Sequence, residues 1–284
     1  MERFDRRSFL IVAGLAPLSL IIESGPSSKE RRAFRWLKDV PPSLMLHSKN
    51  WRQIDALAPL LLKHFQPMTY KSWLTIVGEK EKFANHHPHP FFYESGVRRL
   101  ARVSSFLEGG TPPVIVSIDD IGTDWIRHEH LQIFEDLLRH GIPGVIALQP
   151  NTPVEKRGPY WERIIELHRQ GWEIATHTVS HPVLPGVLRE KLEEEIKESA
   201  DRIRRAVGEP PLTLILPFGS FLSGKTGEAD LRIFEVCREV GIKVVAGIGE
   251  GRERTFFGQG LPEYVGRAHP GQTPDKTLEN LLNF

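Results

Sequence analysis

Cysteine is almost absent from this sequence, and neither sign of charge predominates. The single cysteine, Cys237, excludes an intramolecular disulfide and a zinc site built from Cys-x-x-Cys pairs. Lys and Arg total 37 and Asp and Glu total 36, so the net charge of +1 gives no electrostatic support for nucleic acid as a partner. A metal site in this chain would therefore use carboxylates and some of its 12 histidines.

The apolar run at residues 9–22 is shorter than the roughly 20 residues that a membrane-spanning helix needs. It follows Arg6 and Arg7, and the string DRRSFLIVAG resembles a bacterial twin-arginine export signal. We predict an export signal or anchor over 1–28 and a linker over 29–41, in a periplasmic or extracellular protein. It would contact a membrane only through an uncleaved signal. The alternative is a basic N-terminus before an ordinary apolar helix.

Beyond the linker, short apolar runs alternate with amphipathic runs, which predicts a largely parallel, barrel-like α/β architecture. The runs that favour buried strands are Leu44–His47, Val114–Ile118, Gly144–Leu148, Glu173–His177, Thr213–Leu216 and Lys243–Gly247. The runs that favour helices are Gln53–Phe65, His128–His140, Tyr160–Gln170, Leu188–Val207 and Glu228–Val240. Residues 78–95 have no clear period and predict an inserted loop.

Two adjacent carboxylates, Asp119 and Asp120, end the second predicted strand in the run SIDDIG. Buried ionised carboxylates need a cation, hydrogen-bond donors or water. Adjacent residues of an extended chain point to opposite sides, but both can reach one cavity at a strand end, where the backbone turns. The alternative is a polar strand-to-loop transition in which Asp120 caps the following turn.

Two histidines, His177 and His181, follow the fourth predicted strand in the run HTVSH. A helical turn or a tight loop would bring both imidazoles to one side, which is a chelating geometry for zinc or a similar divalent ion. Ligands in such folds gather at the C-terminal ends of the strands, where both this pair and the two aspartates are expected. The alternative is two solvated histidines on a surface loop.

A third motif, LPFG at 216–219, indicates either a plain turn or a rigid bend that presents an aromatic ring and backbone N–H groups. In order, spacing and placement, SIDDIG, HTVSH and LPFG resemble the motifs of the polysaccharide deacetylase family, also called the NodB homology domain or carbohydrate esterase family 4. That family shows TFDDG, H-[ST]-x-x-H and Pro-aromatic-Gly. The resemblance covers about residues 42–284 and implies one catalytic domain with a distorted (β/α) barrel of the NodB-homology type.

The resemblance implies a role for each matched residue. Asp119 is expected as the catalytic base, with Asp120, His177 and His181 as ligands of a divalent metal, expected to be Zn²⁺. The family's acid is often a C-terminal His, which would be His269 here. The residues expected at the substrate groove are Thr178, which also supports the ligand loop, Pro217, Phe218, Gly219 and Arg267. The backbone after the aromatic is expected to help stabilise an oxyanion.

Two departures from the family pattern bear on this assignment. Ile121 stands where the family has Gly after its two aspartates. The Arg that orients the base in the family is absent upstream of Pro217, where Ile215 and Leu216 stand instead. The C-terminal stretch LPEYVGRAH also fits two ways, since it resembles either the family's acid motif or a segment in which Arg267 matters.

The resemblance implies a hydrolase that removes N-acetyl groups from an extracytoplasmic polysaccharide or peptidoglycan, with an acetylated glycan as its partner. Two alternatives use the same metal site: an O-acetyl esterase and a non-sugar amidase. A third alternative is a glycan-binding relative without activity. Such a relative would be expected to lack a ligand or the base, and all four residues are present here.

Overall fold

The computed structural model describes residues 41–75, 112–156, 158–224, 227–249, 254–255 and 261–283. The predicted export signal, residues 29–40 of the predicted linker and the predicted inserted loop lie outside the described residues. The chain divides into two compact units, and the fold below is that of Val40–Trp73 together with Pro113–Phe284. The other unit, Met1–Asp39 with Leu74–Pro112, lies almost wholly outside the described residues.

A mostly parallel sheet forms the centre of the described unit, and its apolar strands are buried on both faces. The strands are β1 (Ser43–Leu46), β2 (Gln66–Met68), β3 (Pro113–Gly122), β4 (Val145–Gln149), β5 (Glu173–Thr176), β6 (Thr213–Ile215), β7 (Val244–Ile248), β8 (Arg254–Thr255) and β9 (Glu263–Arg267). Their spatial order is β1-β3-β4-β5-β6-β7-β9-β8, with β2 also pairing with β3. The β8–β9 pair is antiparallel.

The sheet closes on itself between β1 and the residue that follows β9. The Met45 N–H donates to the carbonyl of Ala268 at 3.1 Å, and the Ala268 N–H donates to the carbonyl of Ser43 at 2.7 Å. The extent of strand pairing varies around the barrel, because β5 pairs with β6 at one position, Thr176 with Leu214. This nearly closed sheet confirms the distorted (β/α) barrel expected from the sequence.

Helices connect the parallel strands, as the alternation in the sequence predicted. They are α1 (Trp51–His64), α2 (His128–Arg139), α3 (Pro159–Arg169), α4 (Arg189–Val207), α5 (Leu231–Glu239) and α6 (Pro274–Asn283). The longest of these, α4, ends at Gly208, whose φ of 91° and N–H bond to the Arg204 carbonyl form a left-handed cap. Within the described ranges, no helix combines the length and apolar character needed to cross a bilayer.

Four of the strands and α-helices given above were not predicted from the sequence: β2, β8, β9 and α6. The most consequential is β9, because its last residue, Arg267, lies inside the barrel. A strand of five residues that ends in arginine lacks the continuous apolar pattern by which the other strands were recognised.

Candidate metal centre

A β-bulge in β3 positions the two adjacent aspartates. The register of β3 against β4 shifts between Ile118 and Ile121, and Asp120 has a left-handed φ of 63°. Asp119 therefore stays in the barrel interior, 3% exposed, on the same strand face as Ser117. The sequence predicted that the two aspartates end this strand, whereas β3 continues two residues further, to Gly122. The bulge, rather than a strand end, sends the two carboxylates in different directions.

The two histidines leave β5 on a tight loop. His177 directly follows the strand, and its N–H donates to the carbonyl of Leu148 at 2.8 Å. Thr178 and His181 both have a positive φ, of 65° and 60°, and the Thr178 hydroxyl accepts the His181 N–H at 3.0 Å. This conformation folds the loop back, so that the two imidazole rings lie 4.7 Å apart between centroids.

The hydrogen bond at one ring nitrogen of His177 determines whether the other ring nitrogen carries a proton. The Nδ1 atom lies 2.7 Å from the carbonyl oxygen of Ile215, which can only accept, so Nδ1 carries the proton. In the neutral ring the lone pair is then on Nε2, the atom that faces Asp120 and His181. A histidine whose second nitrogen is fixed by a carbonyl is the usual form of a metal ligand.

The atoms that converge here are Oδ1 of Asp120 and Nε2 of His177 and His181. The two Nε2 atoms lie 3.1 Å apart. Oδ1 of Asp120 lies 3.5 Å from Nε2 of His177 and 3.2 Å from Nε2 of His181. Tetrahedral zinc with bonds of about 2.0–2.1 Å separates its ligand atoms by about 3.3 Å. The three residues therefore fit a zinc-sized cation in both donor type and spacing. When the imidazoles of His177 and His181 are protonated, their hydrogen bonds hold the pKa of Asp120 well below its usual range.

Backbone strain is concentrated at this site. Among the described residues, four that are not glycine have a positive φ: Asp120, Thr178, His181 and Phe218. All four belong to the three motifs identified in the sequence. A left-handed conformation costs a residue other than glycine roughly 1–2 kcal/mol and persists where its surroundings impose it, which occurs preferentially at functional sites.

A buried arginine holds the carboxylate of Asp119. The Nη1 atom of Arg267 lies 2.7 Å from Oδ1 of Asp119 and 2.9 Å from the Ser117 hydroxyl, while Nε donates to the Gly247 carbonyl at 3.2 Å. Arg267 is 0% exposed, so the expected substrate contact by this residue is not possible without a rearrangement. Instead, β9 supplies the guanidinium that the sequence lacks upstream of Pro217.

A histidine that was not selected from the sequence also lies at the site. His47 directly follows β1, and its Nε2 lies 3.7 Å from Oδ2 of Asp120, whose Oδ1 lies beside the histidine pair. Burial lowers the pKa of His47, although Asp119 and Asp120 act in the opposite direction. His269, the expected acid, is exposed. The available signal for His47 was its position immediately after a buried strand, as for His177.

The turn after β6 presents one side chain to solvent. Pro217 and Gly219 are buried, whereas Phe218 is 61% exposed and its ring lies 4.8 Å from that of His181. A Cβ at Gly219 would lie 2.2 Å from Ile248, so this position admits only glycine. The Gly219 N–H donates to the carbonyl of Leu216 at 3.0 Å, which differs from the expectation that it is free for an oxyanion. Thr178 is also buried and supports the loop rather than facing a groove.

Comparisons with known proteins agree with this fold. Residues 109–244 match the sequence model of the family described as polysaccharide deacetylase. The structure of a Streptococcus pyogenes deacetylase, PplD, in complex with acetate is 14% identical, with a TM-score of 0.57 over 85% of this chain and 97% of that chain. A de-N-acetylase from Aggregatibacter actinomycetemcomitans is 16% identical, with a TM-score of 0.54 over 84% and 98%.

IcaB from Ammonifex degensii is likewise 16% identical, with a TM-score of 0.55 over 86% of this chain and 97% of that chain. At these identities the structural likeness shows the fold alone. No curated protein sequence matches this chain.

Proposed function

We propose that this chain, whose residues 109–244 belong to the polysaccharide deacetylase family, is a metal-dependent hydrolase that removes N-acetyl groups from a glycan. The observation that carries the proposal is the convergence of Asp120, His177 and His181 beside a buried carboxylate, Asp119. Three protein ligands leave a fourth position for water or substrate. The side chains of Asp120 and His181 are 41% and 24% exposed, so a substrate can approach the cluster.

A divalent cation bound by the three residues would polarise the acetyl carbonyl and acidify a water molecule. Asp119 accepts the proton of the attacking water. Arg267 donates its hydrogen bond to Oδ1 of Asp119. Among the contacts of the described residues, Oδ2 therefore remains the oxygen that can take this proton. Arg267 thus fixes the direction of the base and balances its charge within the barrel.

The leaving nitrogen needs a proton donor other than Asp119, and we assign this role to His47. Its ring nitrogen already faces the cation-binding carboxylate at 3.7 Å. His269 is the donor expected from the family pattern, but its ring is exposed, and its carbonyl accepts a hydrogen bond from Asn280 at 3.2 Å. A donor has to lie within hydrogen-bond reach of the atom it protonates, which favours His47.

Paired glutamine variants test this assignment. In His47→Gln we expect kcat for acetate release to fall about 10²–10⁴-fold, because glutamine keeps the polar contact but cannot transfer a proton. In His269→Gln we expect a rate close to that of the wild type. Steady-state kinetics of both variants measures this, with zinc content as the control for an intact site. The reverse ranking of the two variants would return the role to His269.

An exported glycan is the substrate class that we propose. The N-terminal run around Arg6 and Arg7 supports export, and the exposed ring of Phe218 beside His181 offers a stacking surface to a sugar. Structures with the same fold include one described as a de-N-acetylase and one in complex with acetate. These descriptions support the release of acetate from an N-acetylated sugar.

The proposal is tested by acetate release from N-acetylated and O-acetylated oligosaccharides, with and without a chelator. We expect turnover of the N-acetylated set, loss of turnover after chelation, and recovery when Zn²⁺ is added back. Turnover that resists complete removal of metal would contradict the proposal. Release from the O-acetylated set alone would identify an esterase that uses the same site.

A further inference from the structure

We infer that Glu195, on α4, is a positioning residue that imposes the conformation of the histidine loop and thereby sets the affinity of the site for its cation. This inference rests on the proposed metal-dependent function and deepens it. Glu195 is 1% exposed, although it lies on a helix whose outer face carries many charges. A carboxylate is buried at a helix–loop contact when it has hydrogen-bond donors to accept, so the donors of Glu195 indicate its role.

Three hydrogen bonds to Glu195 come from the segment between the two histidines. Its Oε2 accepts the N–H of Val179 at 2.9 Å and the N–H of Ser180 at 2.8 Å, and its Oε1 accepts the Ser180 hydroxyl at 2.6 Å. These are the two residues enclosed by Thr178 and His181, which hold the left-handed conformations. One carboxylate therefore binds the backbone of the segment whose strain brings the second imidazole toward the first.

The same face of α4 makes a second connection to the start of this loop. Ser199, one helical turn after Glu195, shares a short hydrogen bond with the Thr176 hydroxyl, and that hydroxyl accepts the Thr178 N–H at 3.3 Å. Lys191, one turn before Glu195, lies 3.1 Å from its Oε1 and balances the charge. The polar groups of α4 thus lie along the loop that carries both imidazoles.

Glu173 provides a matched control for Glu195. It too is a buried carboxylate: Oε2 accepts the Lys71 N–H at 2.8 Å, and Oε1 accepts the Thr213 hydroxyl at 2.7 Å. It lies at the first residue of β5, whereas the histidine pair follows the last residue. Replacing either glutamate disturbs a comparable buried network, but only Glu195 contacts the loop.

The test is a Zn²⁺ titration of the apo full-length chain, with a competing chelator, for the wild type, Glu195→Gln and Glu173→Gln. Glutamine has one acceptor oxygen where glutamate has two, so its NH₂ group faces either the two backbone N–H groups or the Lys191 ammonium, and the loop loses part of its constraint. We expect the Kd for Zn²⁺ to rise about 10–100-fold in Glu195→Gln, as for other groups that orient metal ligands. In Glu173→Gln we expect the Kd of the wild type. The absorption spectrum of bound Co²⁺ should shift in Glu195→Gln alone.

A Kd in Glu195→Gln equal to that of the wild type, or an equal rise in both glutamine variants, would overturn the inference. Should Glu195→Gln not fold, the Kd of Ser180→Ala for Zn²⁺ tests the inference. This substitution, at an exposed residue, removes one of the three hydrogen bonds that the loop donates to Glu195. We expect a smaller rise of Kd in that variant, and an unchanged Kd would overturn the inference. A wild-type chain that binds no cation contradicts the proposed function itself, which separates the two failures.

Discussion

In the variant Asp119→Asn, acetate release is expected to fall about 10²–10⁴-fold while the chain still binds its cation. Asparagine has nearly the same shape, and its amide oxygen can accept the hydrogen bond that Arg267 donates at 2.7 Å. It cannot take the proton of the attacking water. Cation binding should persist because Asp119 contributes no atom to the cluster of Asp120, His177 and His181.

The measurement is kcat/KM for acetate release together with the zinc content of the same sample. Asp124→Asn is the matched control, since Asp124 lies near the same end of β3 and accepts a hydrogen bond from Asn151 on the surface at 2.7 Å. That variant should keep the wild-type rate. Wild-type turnover in Asp119→Asn would contradict the role of this carboxylate as the base.

The second large effect is expected from Arg267→Leu, which should lower the free energy of unfolding by about 3–5 kcal/mol and abolish turnover. The side chains of Arg267 and Asp119 are 0% and 4% exposed, so removing the guanidinium leaves a carboxylate charge buried without its partner. The guanidinium also joins three strands, through Ser117 of β3, Gly247 of β7 and its own position on β9.

Urea unfolding of Asp119→Asn, Arg204→Leu and the double variant Asp119→Asn/Arg267→Leu checks this explanation. Arg204→Leu breaks an ion pair between side chains that are 57% and 38% exposed, and should cost less than about 1 kcal/mol. The double variant Asp119→Asn/Arg267→Leu should recover part of the stability that Arg267→Leu loses, because it removes both charges. A double variant with the summed losses of its two single variants would show that the buried charge is not the cause.

The architecture could be predicted from the sequence because its cues are local. Each continuous apolar run and each amphipathic run lies within one element, as in α4. The loop HTVSH was also recognisable, since both imidazoles belong to one short segment. These patterns predicted the barrel and the histidine pair.

The remaining parts of the site depend on contacts between distant segments. The bulge that separates Asp119 from Asp120 arises from the register of β3 against β4 and has no signature in SIDDIG. His47 and Arg267 reach the site because the barrel closes between β1 and the end of β9. An arginine near the C-terminus of a chain is usually exposed, so its burial against Asp119 was not foreseeable.

We expect one cation to lie between Asp120, His177 and His181. The most direct measurement is anomalous diffraction at the zinc absorption edge from crystals of the full chain grown with Zn²⁺. We expect one strong peak about 2.0–2.2 Å from Oδ1 of Asp120 and from Nε2 of each histidine. A map without density among these three atoms, from crystals in which the side chains are ordered, would contradict the account.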